Sequence, residues 1–144
     1  MVMEHVVRSY HPDDRESLVR LWSACDLIRP WNDPNRDIDR KLAWDASRLL
    51  VIEHDTSVVG SVMVGYDGHR GWVNYLAVGP GYQRRGLGRI LMQRAEELLG
   101  ELGCAKLNLQ IRSSNEAAIG FYRRLGYRVD ESVSMGKRLE LDGA

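Results

Sequence analysis

Cysteine, phenylalanine and net charge are all scarce in this chain of 144 residues. It has two cysteines, one phenylalanine and a formal charge of zero, with 20 Lys and Arg against 20 Asp and Glu. Cys25 and Cys104 stand far apart and form no Cys-x-x-Cys pattern, so neither a disulfide framework nor a zinc site is indicated. Both have apolar neighbours and read as core residues. Balanced charge argues against a dedicated nucleic-acid binder, which carries a basic excess. No run reaches the ~18 apolar residues of a membrane span. The first ten residues include Glu4 and no apolar stretch of signal-peptide length, so the expected location is cytoplasmic. Repeats, low-complexity tracts and linkers are missing too, and the length suits one domain over residues 1–144.

What is present is an ordinary globular composition. Hydrophobic residues make up 44% and charged residues 28%, enough to bury a core without disulfide or metal staples. The charge is unevenly placed. Residues 1–72 carry 9 Lys and Arg against 12 Asp and Glu, and residues 73–144 carry 11 against 8. The second half is where an anionic ligand is expected, unless the split is chance.

Periodicity sets the order of elements. Residues 5–9 suit a short strand. Pro12, Asp13, Asp14 and Glu16 signal a helix start with Asp13 as N-cap, and Leu18, Leu21, Trp22 and Cys25 follow at helical spacing. Two prolines and Asn32-Asp33 make residues 26–35 a loop. Ile38, Leu42 and Ala46 suggest a second helix. Residues 48–54, 58–66 and 72–78 then read as a three-strand meander, with Asp67-Gly68 as a turn signal. Leu91, Ala95, Leu98 and Leu102 give an amphipathic helix from Gly86, closed by Gly103. Residues 106–111 alternate as a strand, 116–125 are helical, and 127–139 read as one or two final strands. The fold class is mixed α/β, with one strand-helix-strand crossover around the Gly86 helix.

The segment from Val78 to Arg89 joins a strand to that long helix. A helix start leaves backbone N–H groups unpaired and carries partial positive charge, and glycines let an anion approach them. Arg84, Arg85, Arg89 and Arg94 add cations with no acid among them, so a phosphate would fit. A Walker loop is not matched, because Arg89-Ile90 follows Gly88. A dinucleotide fingerprint is not matched either, because Leu91 stands at the third glycine. By itself the turn also fits a solvated arginine face.

Two motifs together resemble a known family. Gln83-x-x-Gly86-x-Gly88 after the strand Tyr75-Leu76-Ala77-Val78 is similar to the acyl-CoA signature of the GNAT N-acetyltransferases. Asn115, Ala118, Ile119, Phe121, Tyr122, Leu125, Gly126 and Tyr127 resemble that family's segment in which an Asn precedes a helix carrying a Tyr. The stretches at 25–34 and 65–71 resemble a bacterial subgroup typified by the YpeA acetyltransferases. The likeness spans almost the whole chain and implies a central, mostly antiparallel sheet with one splayed parallel strand pair and about four flanking helices.

The resemblance also implies roles. Acetyl-CoA would lie between strands 72–78 and 106–111. Main-chain groups of Leu76 and Val78, with Ala77 between them, would pair with the pantetheine arm as an added strand would. Gln83 belongs to the phosphate turn, and the backbone of Arg84, Arg85, Gly86, Leu87, Gly88 and Arg89 would hold the pyrophosphate. Asn115 would bind near the pantetheine, and Tyr122 would protonate the leaving thiolate. No metal is implied. Read without the resemblance, Tyr122 fits a core tyrosine beside Ile119 and Leu125, and Asn115 fits a helix N-cap.

The general base departs from the family pattern. Members that place a Glu early in the strand before the phosphate turn correspond here to Trp72. Those that place one five residues before the Asn correspond to Gln110. Neither takes a proton. Asp67, His69 and Glu53 are the other candidates, with water as the remaining route. The loop 26–39 should border the acceptor site. Its Asp26, Asp33, Asp37 and Asp39 with Trp31 would suit a cationic amine, or serve as turn and cap formers. Arg29 and Arg36 keep a carboxylate-bearing substrate open. The expected activity is transfer of acetyl from acetyl-CoA to a primary amine of a small molecule or protein, by direct attack in a ternary complex. The alternative is an acyl-CoA-binding module with little activity. A homodimer through the C-terminal strands is possible within the family pattern.

Overall fold

Short polar residues and glycines fix where the elements begin and end. The computed structural model describes residues 5–142. The elements are β1 (Val7–Ser9), α1 (Arg15–Ala24), α2 (Pro34–Asp45), β2 (Leu49–His54), β3 (Ser57–Tyr66), β4 (Gly71–Val78), α3 (Leu87–Glu101), β5 (Leu107–Asn108) and α4 (Glu116–Arg124). The Asp33 carboxylate accepts from the backbone N–H of Asn35 and Arg36, and Pro34 occupies the first turn, so α2 starts there. At α1 the cap differs from the Asp13 expectation. The turn Pro12–Asp14 precedes the helix, and Asp14 accepts from the His11 N–H at 2.8 Å. The Arg8 guanidinium beside Asp14 holds that carboxyl below the usual carboxylate range.

The strands form one sheet in the order β1-β2-β3-β4-β5. The first three pairings are antiparallel, and β4 with β5 is parallel. The β3-β4 turn is the expected one, with Asp67 Oδ1 accepting from the N–H of His69 and Arg70. Helices cover both faces. On one face α3 sends Leu87, Leu91, Met92, Ala95 and Leu99 onto Leu50, Val62, Val64 and Val73, and α4 adds Phe121 and Tyr122. On the other, α1 and α2 send Leu18, Leu21, Trp22 and Ile38 onto Leu49, Val51 and Ala77. Each such side chain, fully buried, contributes about 1.5–3 kcal/mol. Cys25 and Cys104 are free and half-buried.

Two expectations about strands need correction. The strand expected over 106–111 pairs only at Leu107–Asn108, because its partner β4 turns away. Residues 127–139 form no strand. Their polar side chains are bound instead: Asp130 by Lys106 and Asn108, Ser134 by Gln110, and Arg138 by the Trp31 carbonyl and Asn32. Apolar Val133, Met135 and Leu139 point outward. No helix among the described residues is long and apolar enough to cross a membrane.

Candidate active site

The site forms where the sheet fails to close. β4 and β5 pair at Gly71 with Leu107 and at Trp72 with Asn108, then part. Residues 73–78 therefore have β3 on one side and no strand on the other. A bulge contributes to this. Tyr75 and Leu76 together stand opposite Val62, and Tyr75 adopts φ +53. Such a backbone costs about 1–3 kcal/mol and must be held by its surroundings. The Tyr75 ring stacks on Trp22 with centroids 3.7 Å apart. Its hydroxyl donates to Asp37 at 2.5 Å, and its carbonyl accepts from Ser61 Oγ at 2.8 Å. Burial and Asp37 raise the Tyr75 pKa, so its hydroxyl stays a donor.

Successive strand residues present their main-chain groups to opposite edges. Ala77 pairs with Ser61 on β3, so Leu76 and Val78 present theirs to the gap. The Val78 carbonyl accepts from Gln83 Nε2 at 3.1 Å and from Cys25 Sγ at 3.3 Å, which leaves its N–H. An extended ligand with amide groups can pair with this open edge.

At its far end the gap reaches the arginine turn. Gly79 donates to the Val59 carbonyl at 2.9 Å, fixing the exit from β4. Arg84 and Gly86 both take positive φ, +64 and +79. This aims the chain into α3, whose first bond runs from the Ile90 N–H to the Gly86 carbonyl at 3.1 Å. The N–H groups of Leu87, Gly88 and Arg89 are thus unclaimed by the helix. Arg84, Arg85 and Arg89 are exposed beside them, with Arg85 over the Tyr82 ring. The two glycines do different work. A side chain at Gly86 would be strained by its φ, though its surroundings are open. A Cβ at Gly88 would lie 3.0 Å from Phe121 Cζ, so α3 and α4 touch there.

That contact carries Tyr122 to the gap. Asn115 caps α4, its Oδ1 accepting from the Ala118 N–H at 3.1 Å, and its amide nitrogen keeps its donors. Tyr122 is half-buried, edge-on to Phe121 and Tyr127, whose hydroxyl is anchored on Glu96 of α3. Burial alone pushes the Tyr122 hydroxyl up to about 12, so it holds its proton at neutral pH. It lines a cavity of about 900 Å³ with Trp72, Leu107, Leu109, Gln110 and Arg112.

The candidate bases lie elsewhere. Glu53 is on β2, with β3 between it and β4, and pairs with Arg8. Asp67 and His69 sit in the β3-β4 turn. Asp67 accepts there from two backbone N–H groups, which hold its carboxyl low, and from Trp72 Nε1. Sequence reasoning missed the Tyr75 bulge and the placement of Arg112, whose guanidinium lies 5.4 Å from the centre of the Trp31 ring. It also missed a clasp in which the buried Asp142 takes Arg40 at 2.7 Å, the Asp33 N–H at 3.1 Å and Arg36 at 3.6 Å. No pattern in the chain marks contacts between such distant residues.

Known proteins share this fold. Residues 15–127 match the acetyltransferase (GNAT) family. An acetyltransferase of Yersinia pestis is 48% identical over 136 residues, covering 94% of this chain and 96% of that protein. One from Pectobacterium atrosepticum is 47% identical over 133 residues, covering 92% and 94%. Among solved structures, Ard1 from Thermoplasma volcanium superposes with a TM-score of 0.79 at 25% identity, covering 89% of this chain and 85% of that one. With a family match over most of its length and close relatives that bear the acetyltransferase name, this chain belongs to the GNAT family of acetyltransferases.

Proposed function

We propose that the protein transfers acetyl from acetyl-CoA to a primary amine, of a small molecule or a protein, in a ternary complex. The observation that carries this reading is the open edge of β4 running from the Gly86 turn to the cavity of Tyr122. The edge supplies main-chain partners for a pantetheine amide arm at Leu76 and at the Val78 N–H. Ala77 faces β3 and holds the edge in register. Gln83 braces the turn through the Val78 carbonyl. Arg84, Arg85, Gly86, Leu87, Gly88 and Arg89 supply N–H groups and cations for a pyrophosphate. Asn115, whose amide donors are left over from its cap bond, is assigned to the pantetheine arm.

The chemistry then needs alignment and charge stabilisation. The amine nitrogen bonds to the thioester carbon, an oxyanion forms, and the C–S bond breaks. Tyr122 donates its proton to the departing sulfur and regains one from solvent. The nitrogen gives its own proton to water, since none of the three candidates, Glu53, Asp67 and His69, lines the cavity. Tyr122→Phe tests this. It should lower turnover by roughly a hundredfold, the lower end of what a single acid-base group contributes, with acetyl-CoA binding unchanged. Unchanged turnover contradicts the role, and a wild type that binds acetyl-CoA but releases no CoA with any amine favours a binding module.

A further inference from the structure

The charges around the acceptor side of the gap are unevenly committed. The acids expected to greet a cationic amine are all bound within the protein. Asp33 caps α2, Asp37 takes the Tyr75 hydroxyl and Arg40, Asp26 takes Arg29, and Asp39 takes Arg15. Trp31, the aromatic face expected beside them, is already covered by Arg112. Lys106, Arg112, Arg123 and Arg128 line the cavity against one acid, Asp130, which Lys106 and Asn108 hold at 2.9 and 2.7 Å. Arg112 has no ion-pair partner among the described residues.

The side of the sheet matters. Leu109 packs toward α3 and α4. Asn108 and Gln110 bond instead to Asp130 and Ser134, and Arg112 meets Trp31 of the α1-α2 loop. The phosphate turn lies at the start of α3, on the opposite face. Arg112 is therefore placed for the acceptor rather than for the phosphates.

Resting on the transferase reading above, we propose that the acceptor bears a carboxylate beside its amine and that Arg112, laid on Trp31, binds that carboxylate. A planar guanidinium fits a carboxylate through two parallel hydrogen bonds. A site built for such a pair rejects analogues that lack it. The shared chemistry admits a free amino acid or a peptide with an acidic residue next to its amino terminus.

The experiment follows CoA release with three acceptor sets: free amino acids with their amides, dipeptides with and without an acidic second residue, and diamines with no carboxylate. Wild type and Arg112→Gln are compared, and calorimetry gives acetyl-CoA affinity for both. The expected result is at least a tenfold preference in kcat/KM for the acid over its amide in one of the first two sets. Arg112→Gln should shrink that preference toward one with acetyl-CoA affinity unchanged. Amides or diamines used as well as acids would overturn the proposal. So would a variant that loses acetyl-CoA affinity and keeps the preference. A wild type that fails to bind acetyl-CoA instead overturns the transferase reading, and this one with it.

Discussion

Tyr122 and the missing base make a joint prediction about pH. Burial holds the Tyr122 hydroxyl up at about 12, so it remains a proton donor across the working range. Trp72 and Gln110 cannot take a proton. The group expected to titrate is then the acceptor amine, with a pKa of about 7.7–8.0 for an α-amino group and ~10.4 for a lysine. The log of kcat/KM should rise with unit slope to the acceptor's own pKa and then stay level to about pH 11. Changing from an α-amino to a lysine-type acceptor should move the bend by about two units. A bend that stays fixed when the acceptor changes would show an enzyme base. Tyr122 was legible as a catalytic candidate only through the resemblance of the segment from Asn115 to Tyr127 to the GNAT family. Its core neighbours Phe121 and Tyr127 are equally real, so the side chain is at once packed and placed.

Elements with a local cause were read well, and those that depend on a distant partner were not. Asp67, Gly86 and Gly103 act on residues within a few positions, so the β3-β4 turn and the ends of α3 followed from sequence, whereas α2, read from Ile38, Leu42 and Ala46, starts at Pro34, inside the expected loop, because Asp33 caps it. The stretch 106–111 alternates as a strand should, yet only two residues pair, because pairing needs β4 to run beside it. Residues 133–142 alternate too, and this time the polar side is docked while Val133, Met135 and Leu139 are about nine-tenths exposed. Alternation marks an extended chain and two faces, without saying which face finds a partner. The contact of α3 with α4 gives a direct test. Gly88→Val should crowd Phe121 and cost about 1–3 kcal/mol, and the shift of α4 should also slow turnover. Urea unfolding and the CoA-release assay measure the two. Gly88→Val with Phe121→Ala should cost less than the sum of the two single changes, and strict additivity would contradict the contact.

At the scale of the whole molecule, the sheet has two differently furnished faces. The α3-α4 face carries the Gly86 turn and Tyr122, and the α1-α2 face carries the loop 26–33, tied down by the Asp142 clasp. Arg40 and the Asp33 N–H hold the Asp142 carboxyl well below its ordinary 3.8. Its lowered pKa makes the clasp's contribution full above about pH 4 and lost as acid protonates it. Asp142→Asn should therefore lower Tm at pH 7, and the gap from wild type should begin to narrow below pH 4 and close only in stronger acid, where the lowered carboxyl protonates. A gap that stays constant with pH would contradict the clasp. The central claim is tested most directly by calorimetric titration of the ligand-free protein with acetyl-CoA, beside Gly86→Glu. The variant strains an open position at φ +79 and adds a negative charge where the pyrophosphate would lie. Micromolar binding by the wild type that the variant loses is the predicted result. A folded wild type that does not bind acetyl-CoA would contradict the account and leave the Gly86 turn as a way of joining β4 to α3.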